Sequence, residues 1–254
     1  TVIEKGAVAI TEMIAKTKKF KPTIAYGVAT SVFRKAKNGK KVIKDFSMKF
    51  KIPMNVISQE EEAMLGYLSV LALRDDVGPL KKNFVVWDIG GGSMQFFYLN
   101  DKKEPSIYLG DLASVTFKNM VIEVLESKNI ETTNSPNPIG DKREQAIALA
   151  RSYARIHVPA DLKTYLKENM VIGVGGVHNR AIKDQLTSSE GKYALEDIDA
   201  LGKLQVMKKD EELTGEYKAT NISNLLLVQG FMEALGIKEV NLVNANLLQG
   251  LMFK

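Results

Sequence analysis

One stretch limits what this chain can fold into more than any other: Val85-Val86-Trp87-Asp88-Ile89-Gly90-Gly91-Gly92-Ser93, an apolar run that ends in an acid and then in three glycines. A short continuous apolar run is the mark of a buried strand. Glycines at its end let backbone N–H groups approach an anion with no Cβ in the way. Asp88, at the strand's exit, stands where a carboxylate can hold a hydrated divalent cation beside phosphate oxygens. The same residues also suit an ordinary turn between strands at 84–89 and 95–100. Three consecutive glycines followed by Ser93 favour the phosphate-binding reading. The run is neither the G-x-x-x-x-G-K-[ST] of a P-loop nor a G-x-G-x-x-G dinucleotide turn.

The surrounding sequence reads as α/β. Ile3, Ala7, Ile10 and Ile14 recur at helical spacing, giving a helix that ends near Phe20, before Pro22. A strand is expected over 24–29, a turn at Asn38-Gly39, a helix over 40–50 and a short strand over 54–57. The next helix is expected to turn Met64, Leu68 and Leu71 inward. A strand pair over 84–100 frames the glycine turn, and a helix follows over 112–125. Asn134-Ser135-Pro136-Asn137-Pro138 is the clearest loop, with Asp141 a candidate cap for the helix after it. A buried strand over 170–174 opens into Gly175-Gly176 and a helix. A strand over 239–243 and a helix from Asn246 close a mostly helical last third.

Composition narrows the function classes. With 254 residues, 45% of them hydrophobic, the chain can bury one large core or two smaller ones. It has no cysteine, which removes disulfides and thiolate metal sites. No apolar segment approaches membrane-spanning length and the first residues lack a signal pattern, so the expectation is a soluble, cytoplasmic protein without a membrane partner. The formal charge of +5 favours an anionic partner only mildly. Arg34, Lys35, Lys37, Lys40, Lys41, Lys44, Lys49 and Lys51 face a single acid, Asp45, in that stretch. This pattern fits a solvated helix face or a channel for a polyanion. Without interleaved aromatics it does not make a nucleic-acid module. His157 reads as a surface or partly buried helical residue. His178 follows Gly175-Gly176, where it can touch an anion, but no second histidine makes a metal site with it. Trp87 reads as core.

A second chemical segment is Ser58-Gln59-Glu60-Glu61-Glu62-Ala63. Acids in a first helical turn complement the macrodipole. Ser58 and Glu61 fit a capping box, which gives Glu61 a structural task. Glu62 then emerges on a different side, as a dipole-complementing acid or as a general base for a water.

Taken in order, Ala29-Thr30-Ser31-Val32-Phe33-Arg34-Lys35-Ala36-Lys37-Asn38, Ile57 to Ala63, Asp88 to Ser93, and Gly173-Val174-Gly175-Gly176 resemble the exopolyphosphatase / guanosine pentaphosphate phosphohydrolase (Ppx/GppA) family over essentially the whole chain. The family's versions look like ATSAxRxAxN, ISGxEEA, DIGGGSTE and GxGGT. The resemblance implies an actin-like, ribonuclease H-like two-domain α/β fold of the ASKHA superfamily, with the active site in the cleft between domains. The expected division is 1–70 for the remainder of a first domain, 71–243 for the second, and 244–254 for a helix returning to the first. The implied reaction is magnesium-dependent hydrolysis of a terminal phosphoanhydride of polyphosphate or guanosine pentaphosphate, by a protein that can form a homodimer.

Carried over residue by residue, the resemblance makes Glu62 the base that activates water and makes Arg34 a phosphate contact. Asp88 becomes the metal ligand. Gly90, Gly91, Gly92 and Ser93 become one phosphate loop, and Gly175 and Gly176 the facing one. A positioned base is worth about 10²–10⁴-fold in rate. Departures from the pattern are expected to weaken turnover. Gln95 replaces the glutamate of STE and with it a magnesium ligand. Gln59 replaces the glycine of SG, and Val177 the threonine of GGT. Asn246-Leu247-Leu248-Gln249-Gly250 stands for GLREG, and no DxGSNS loop occurs, which reads as a first domain that is incomplete in this sequence. These changes leave a competing expectation, a catalytically impaired module that binds polyphosphate or guanosine phosphates. A kinase of the same superfold is a third, against which the run Glu60 to Glu62 argues.

Overall fold

The fold is described from a computed structural model, over residues 1–73, 83–186 and 191–253. It divides into two compact units, 1–62 and 63–254.

The first unit runs α1 (Val2–Thr17), β1 (Gly27–Ala29), α2 (Ser31–Lys35), α3 (Gly39–Phe50) and β2 (Met54–Val56), and ends with the start of α4 (Gln59–Ala72). Strands β1 and β2 pair in parallel. Its core is Ala7, Ala29, Val42, Ile43 and Phe46, with Ile10, Phe33 and Phe50 against it. The periodic helices appear where their apolar spacing puts them. The strand expected over 24–29 forms only from Gly27, and Ile24 is exposed. Helix α1 stops at Thr17, and a single 3₁₀ turn, Lys18–Phe20, leads to Lys21 in the left-handed region.

The second unit is built on a six-stranded sheet. Its strands are β3 (Phe84–Ile89), β4 (Met94–Leu99), β5 (Pro105–Gly110), β6 (Met170–Val174), β7 (Lys192–Ala194) and β8 (Glu239–Leu242), in the order β5-β4-β3-β6-β8-β7. β3, β4 and β5 are antiparallel neighbours, while β6 lies parallel to β3 and β8 parallel to β6. β7 closes the far edge antiparallel to β8. Three antiparallel strands followed by two parallel ones make the ribonuclease H-like sheet that the resemblance implies, and the actin-like α/β class holds.

Side chains alternate across the sheet, as they must in strands. One face sends Val85, Trp87, Ile89, Met94, Phe96 and Val171 into the main core, covered by α5 (Ser114–Met120), α6 (Arg143–His157), α7 (Ala160–Glu168), α8 (Leu195–Gln205) and α9 (Lys218–Leu235). Helix α9 buries thirteen of its eighteen residues, the polar Asn221, Ser223, Asn224 and Gln229 among them, so it is covered on nearly every side and runs through the middle of this layer. The other face carries Phe84, Val86, Phe97, Ile172 and Val174 against Ala63, Tyr67 and Val70 of α4. Met64 and Leu71 of α4 are only partly buried, and Leu68 is half-exposed, so the helix's inward stripe is one residue out of step with the expected one. The last helix, α10 (Leu247–Phe253), lays Gly250 on the backbone of Leu65: a Cβ there would sit 2.0 Å from the Leu65 carbonyl oxygen.

The helix expected over 112–125 starts at Ser114 and closes as a π turn over Val121–Leu125. Asp141 does not cap α6. It lies in a 3₁₀ turn, and the capping position is Lys142, which makes no side-chain cap. None of the described helices is long and apolar enough to cross a membrane.

Candidate active site

In the second unit, β3 and β6 are parallel neighbours, with Asp88 opposite Val174 in register, so both glycine loops leave the same end of the sheet. β4, on the other side of β3, returns in a hairpin. This is the point in an open α/β sheet where the carboxyl ends of neighbouring strands leave a crevice for ligands.

The first loop is a tight turn: the Gly90 N–H donates to the Ser93 carbonyl at 2.9 Å. The carbonyls of Gly90 and Gly91 accept from the Ser114 and Val115 N–H groups at 3.1 and 2.8 Å. Those donors belong to the first turn of α5 and have no partner inside that helix. In a trans peptide the C=O and the following N–H point in opposite directions. Carbonyls turned toward α5 therefore turn the N–H groups of Gly91 and Gly92 away from it. Gly91 is exposed, and Gly90 and Gly92 are half-buried.

The second loop meets Asp88 directly. Gly175 has φ +83°, and a Cβ there would lie 2.3 Å from Asp88 Oδ1 and 3.2 Å from the Ile89 carbonyl oxygen. Only glycine satisfies both conditions. Gly176 is exposed, with nothing within 4 Å of where its Cβ would be. On the other side of Asp88 is Gly66 of α4, whose Cβ position lies 4.0 Å from Oδ2. The only sign of this last neighbour in the sequence is a glycine inside a helical pattern.

Asp88 also faces Gln95 directly across the β3–β4 ladder, on the same sheet face. Gln95 is buried and donates from Nε2 to the Ser93 hydroxyl at 3.1 Å. The Ser93 side chain is buried too, so its hydroxyl is engaged from inside the sheet and the loop offers mainly backbone groups. Among the described residues no three acidic or histidine side chains cluster as a metal site. One carboxylate beside a phosphate loop still suits magnesium, which keeps its waters and is held through one or two carboxylates and substrate oxygens.

In the first unit, Glu62 lies in the opening turn of α4. The Ser58 hydroxyl accepts from the Glu61 N–H at 3.1 Å, the first half of the expected capping box. A hydrogen bond from its own backbone N–H, and after it one with the Ser58 side chain, lowers the pKa of Glu60. Glu62 is different: only 6% exposed, it pairs with Arg34, Nη2 to Oε2 at 2.8 Å. Arg34 Nη1 donates to the Ile57 carbonyl at 3.0 Å, which fixes the guanidinium between the end of β2 and the start of α4. Burial pushes the Glu62 carboxyl above its ordinary pKa, and the hydrogen bond and charge of Arg34 only partly oppose that shift. Thus Arg34 and Glu62, expected to act separately, are partners. Twenty-eight residues of separation hid the pair from the sequence reading.

His178 is corrected. Its ring is fully buried, with Nδ1 2.7 Å from the Tyr193 hydroxyl and its plane edge-on to Trp87, so it is not exposed to an anion. Trp87 is core, stacked on Phe96. His157 is exposed and packs on Tyr153.

Comparison with solved structures gives the same architecture. The Aquifex aeolicus PPX-GPPA enzyme superposes with a TM-score of 0.71 at 14% identity, covering 99% of this chain and 82% of its own. An exopolyphosphatase from Cytophaga hutchinsonii superposes at 0.75 and 14% identity, covering 99% and 80%. An exopolyphosphatase-like protein gives 0.75 at 17% identity, covering 99% and 81%. The family model of the Ppx/GppA phosphatases matches residues 1–254, and the chain belongs to the Ppx/GppA phosphatase family.

Proposed function

We propose that this protein hydrolyses a terminal phosphoanhydride of inorganic polyphosphate or of guanosine pentaphosphate. The observation that carries the reading is the convergence of two glycine loops on one carboxylate, with Gly175 so close to Asp88 that no other residue fits. Membership of a phosphatase family and the exopolyphosphatase named among the similar structures agree with it.

In this reading the loop of Gly90, Gly91, Gly92 and Ser93, with Gly175 and Gly176, holds the terminal phosphate, and the Ser93–Gln95 bond fixes the first loop's shape. Asp88 holds magnesium, which when bound neutralises charge on the phosphate oxygens. Phosphoryl transfer asks mainly for positioning and charge neutralisation, so a cradle of this kind serves it. Glu62 takes the proton of the attacking water. Its raised pKa makes it a better proton acceptor than an ordinary glutamate. Arg34 keeps the carboxylate ionised and oriented, and two of the five guanidinium N–H groups suffice for the bonds to Glu62 and Ile57. The others are suited to phosphate oxygens.

One observation favours a second reading, a module that binds phosphate chains without turnover: a neutral amide, Gln95, stands across from Asp88 and is spent on Ser93. Phosphate release from tripolyphosphate and from guanosine pentaphosphate, with magnesium, separates the two. Release above a no-enzyme control supports hydrolysis. Binding without release supports the module.

A further inference from the structure

The polar cluster buried behind the second glycine loop has no part in the chemistry above. His178 and Tyr193 are 0% and 1% exposed, and Trp87 is 0% exposed. His178 is the second residue of the π turn Val177–Ile182 that carries the chain away from Gly175–Gly176, Trp87 is the residue before Asp88, and Tyr193 lies on the edge strand β7. The cluster therefore joins the two loop-bearing strands to the sheet's far edge.

Its seat is made by a missing side chain. Gly173 pairs with Trp87 in the β3–β6 ladder, and a Cβ on Gly173 would fall 2.8 Å from His178 Cγ and 2.9 Å from Nδ1. The imidazole thus fills the place on the sheet face where a β6 side chain would stand. Its ring centroid is 4.9 Å from that of Trp87 at 65°, an edge-to-face contact. Nδ1 is held by the Tyr193 hydroxyl at 2.7 Å. Asn179 pins the same turn, donating to the Val243 carbonyl at 2.8 Å. Histidine is an expensive filler for an apolar slot, because a buried polar atom left unpaired costs free energy. Among the described residues neither His178 Nε2 nor Trp87 Nε1 has a hydrogen-bond partner. The one bond the ring makes is accordingly the one that fixes its rotation.

We propose that His178 is a positioning residue: clamped by Tyr193 over Gly173, its imidazole fixes the turn that follows Gly175–Gly176 and so sets that loop against Asp88. Burial holds the ring neutral, its pKa lowered to about 3, so the clamp is the same at every working pH. The inference rests on the reading of Gly175–Gly176 as a phosphate-holding loop, but its first test does not depend on that reading.

The test compares the full chain with Tyr193→Phe, which removes only the hydroxyl, with His178→Phe, and with His178→Asn, which keeps a polar group near the Nδ1 position. Hydrogen exchange is followed in peptides covering 175–183, with 39–50, helix α3 of the first unit, as the internal reference. Exchange in 175–183 is expected to rise about 5-fold in Tyr193→Phe and 10-fold or more in His178→Phe, to return within about 3-fold of wild type in His178→Asn, and to leave 39–50 unchanged. In an active enzyme the same order is expected in KM for tripolyphosphate, with kcat changing less. Unchanged exchange in 175–183, an equal rise in both regions, or raised exchange with an unchanged KM overturns the proposal. A wild-type protein that releases no phosphate overturns the hydrolase reading alone, and the exchange result then decides this one.

Discussion

Replacing Arg34 by methionine keeps the aliphatic stem and removes the cation from a nearly buried carboxylate. Breaking a fully buried pair costs about 3–5 kcal/mol because one charge is stranded. Arg34 is 20% exposed on its side chain and Glu62 8%, so water reaches the pair and the smaller value of a hydrogen bond to a charged group applies, about 1.5–3 kcal/mol. Urea unfolding at pH 7 of wild type, Arg34→Met, Glu62→Gln and the double variant gives the coupling directly. We expect Arg34→Met alone to lose about 1.5–3 kcal/mol and to lose much less in the Glu62→Gln background. The sign of the pH dependence follows from linkage. Without the arginine the Glu62 pKa rises further, so the ionised carboxylate costs more at neutral pH and nothing once it is protonated. The stability gap between Arg34→Met and wild type therefore closes as pH falls. Single-variant losses that simply add, or a gap that persists in acid, would refute the pairing as the origin of Glu62's state.

Further outcomes follow from the same geometry. In the wild type, the raised Glu62 pKa means that this group's contribution to stability declines as pH rises from the ordinary glutamate value to the folded one, while the catalytic base form accumulates over the same window. Phosphate release should therefore have an acid limb above the ordinary glutamate range, read from a pH–rate profile. Gly175→Ala should lose about 1–3 kcal/mol in urea unfolding, because φ +83° strains an L-residue and the new methyl strikes Asp88 Oδ1. It should also weaken tripolyphosphate binding, measured by calorimetry. Gln95→Glu should lower the melting temperature without magnesium, by placing a buried carboxylate opposite the partly buried Asp88, and recover part of the loss with magnesium; a thermal shift series with and without the ion reads this.

The features legible in the sequence are those written in local pattern. β3, its glycine turn and β4 follow from an apolar run cut by glycines, and α1, α3 and β6 follow from periodicity over a few turns or a few residues. The edge strands β5 and β7 are not legible in the sequence, because an edge is half-solvated and its residues carry little apolar signal. The π turns at 121–125 and 177–182 look like plain helix in the sequence, since their spacing differs from the α period by less than one residue per turn. The inward stripe of α4 is ambiguous in the sequence because Met64, Leu68 and Tyr67, Val70 are both apolar sets, and only the sheet face decides between them. For the candidate site, motif order singles out Asp88, Gly175 and Glu62, but their partners are nonlocal. Arg34 reaches Glu62 across β2, Gln95 reaches Ser93 across the hairpin, and His178 is buried because Gly173 leaves it room. None of these contacts has a period or a motif to announce it.

The central claim is that Glu62 activates the water that attacks a phosphate held by the glycine loops. Glu62→Gln keeps the shape and a hydrogen-bond acceptor for Arg34 while removing the base. Steady-state phosphate release and equilibrium tripolyphosphate binding, measured on the same full-length preparation, are expected to show release falling at least about 100-fold with binding within a few-fold of wild type. Release at the wild-type rate from that variant would contradict the account.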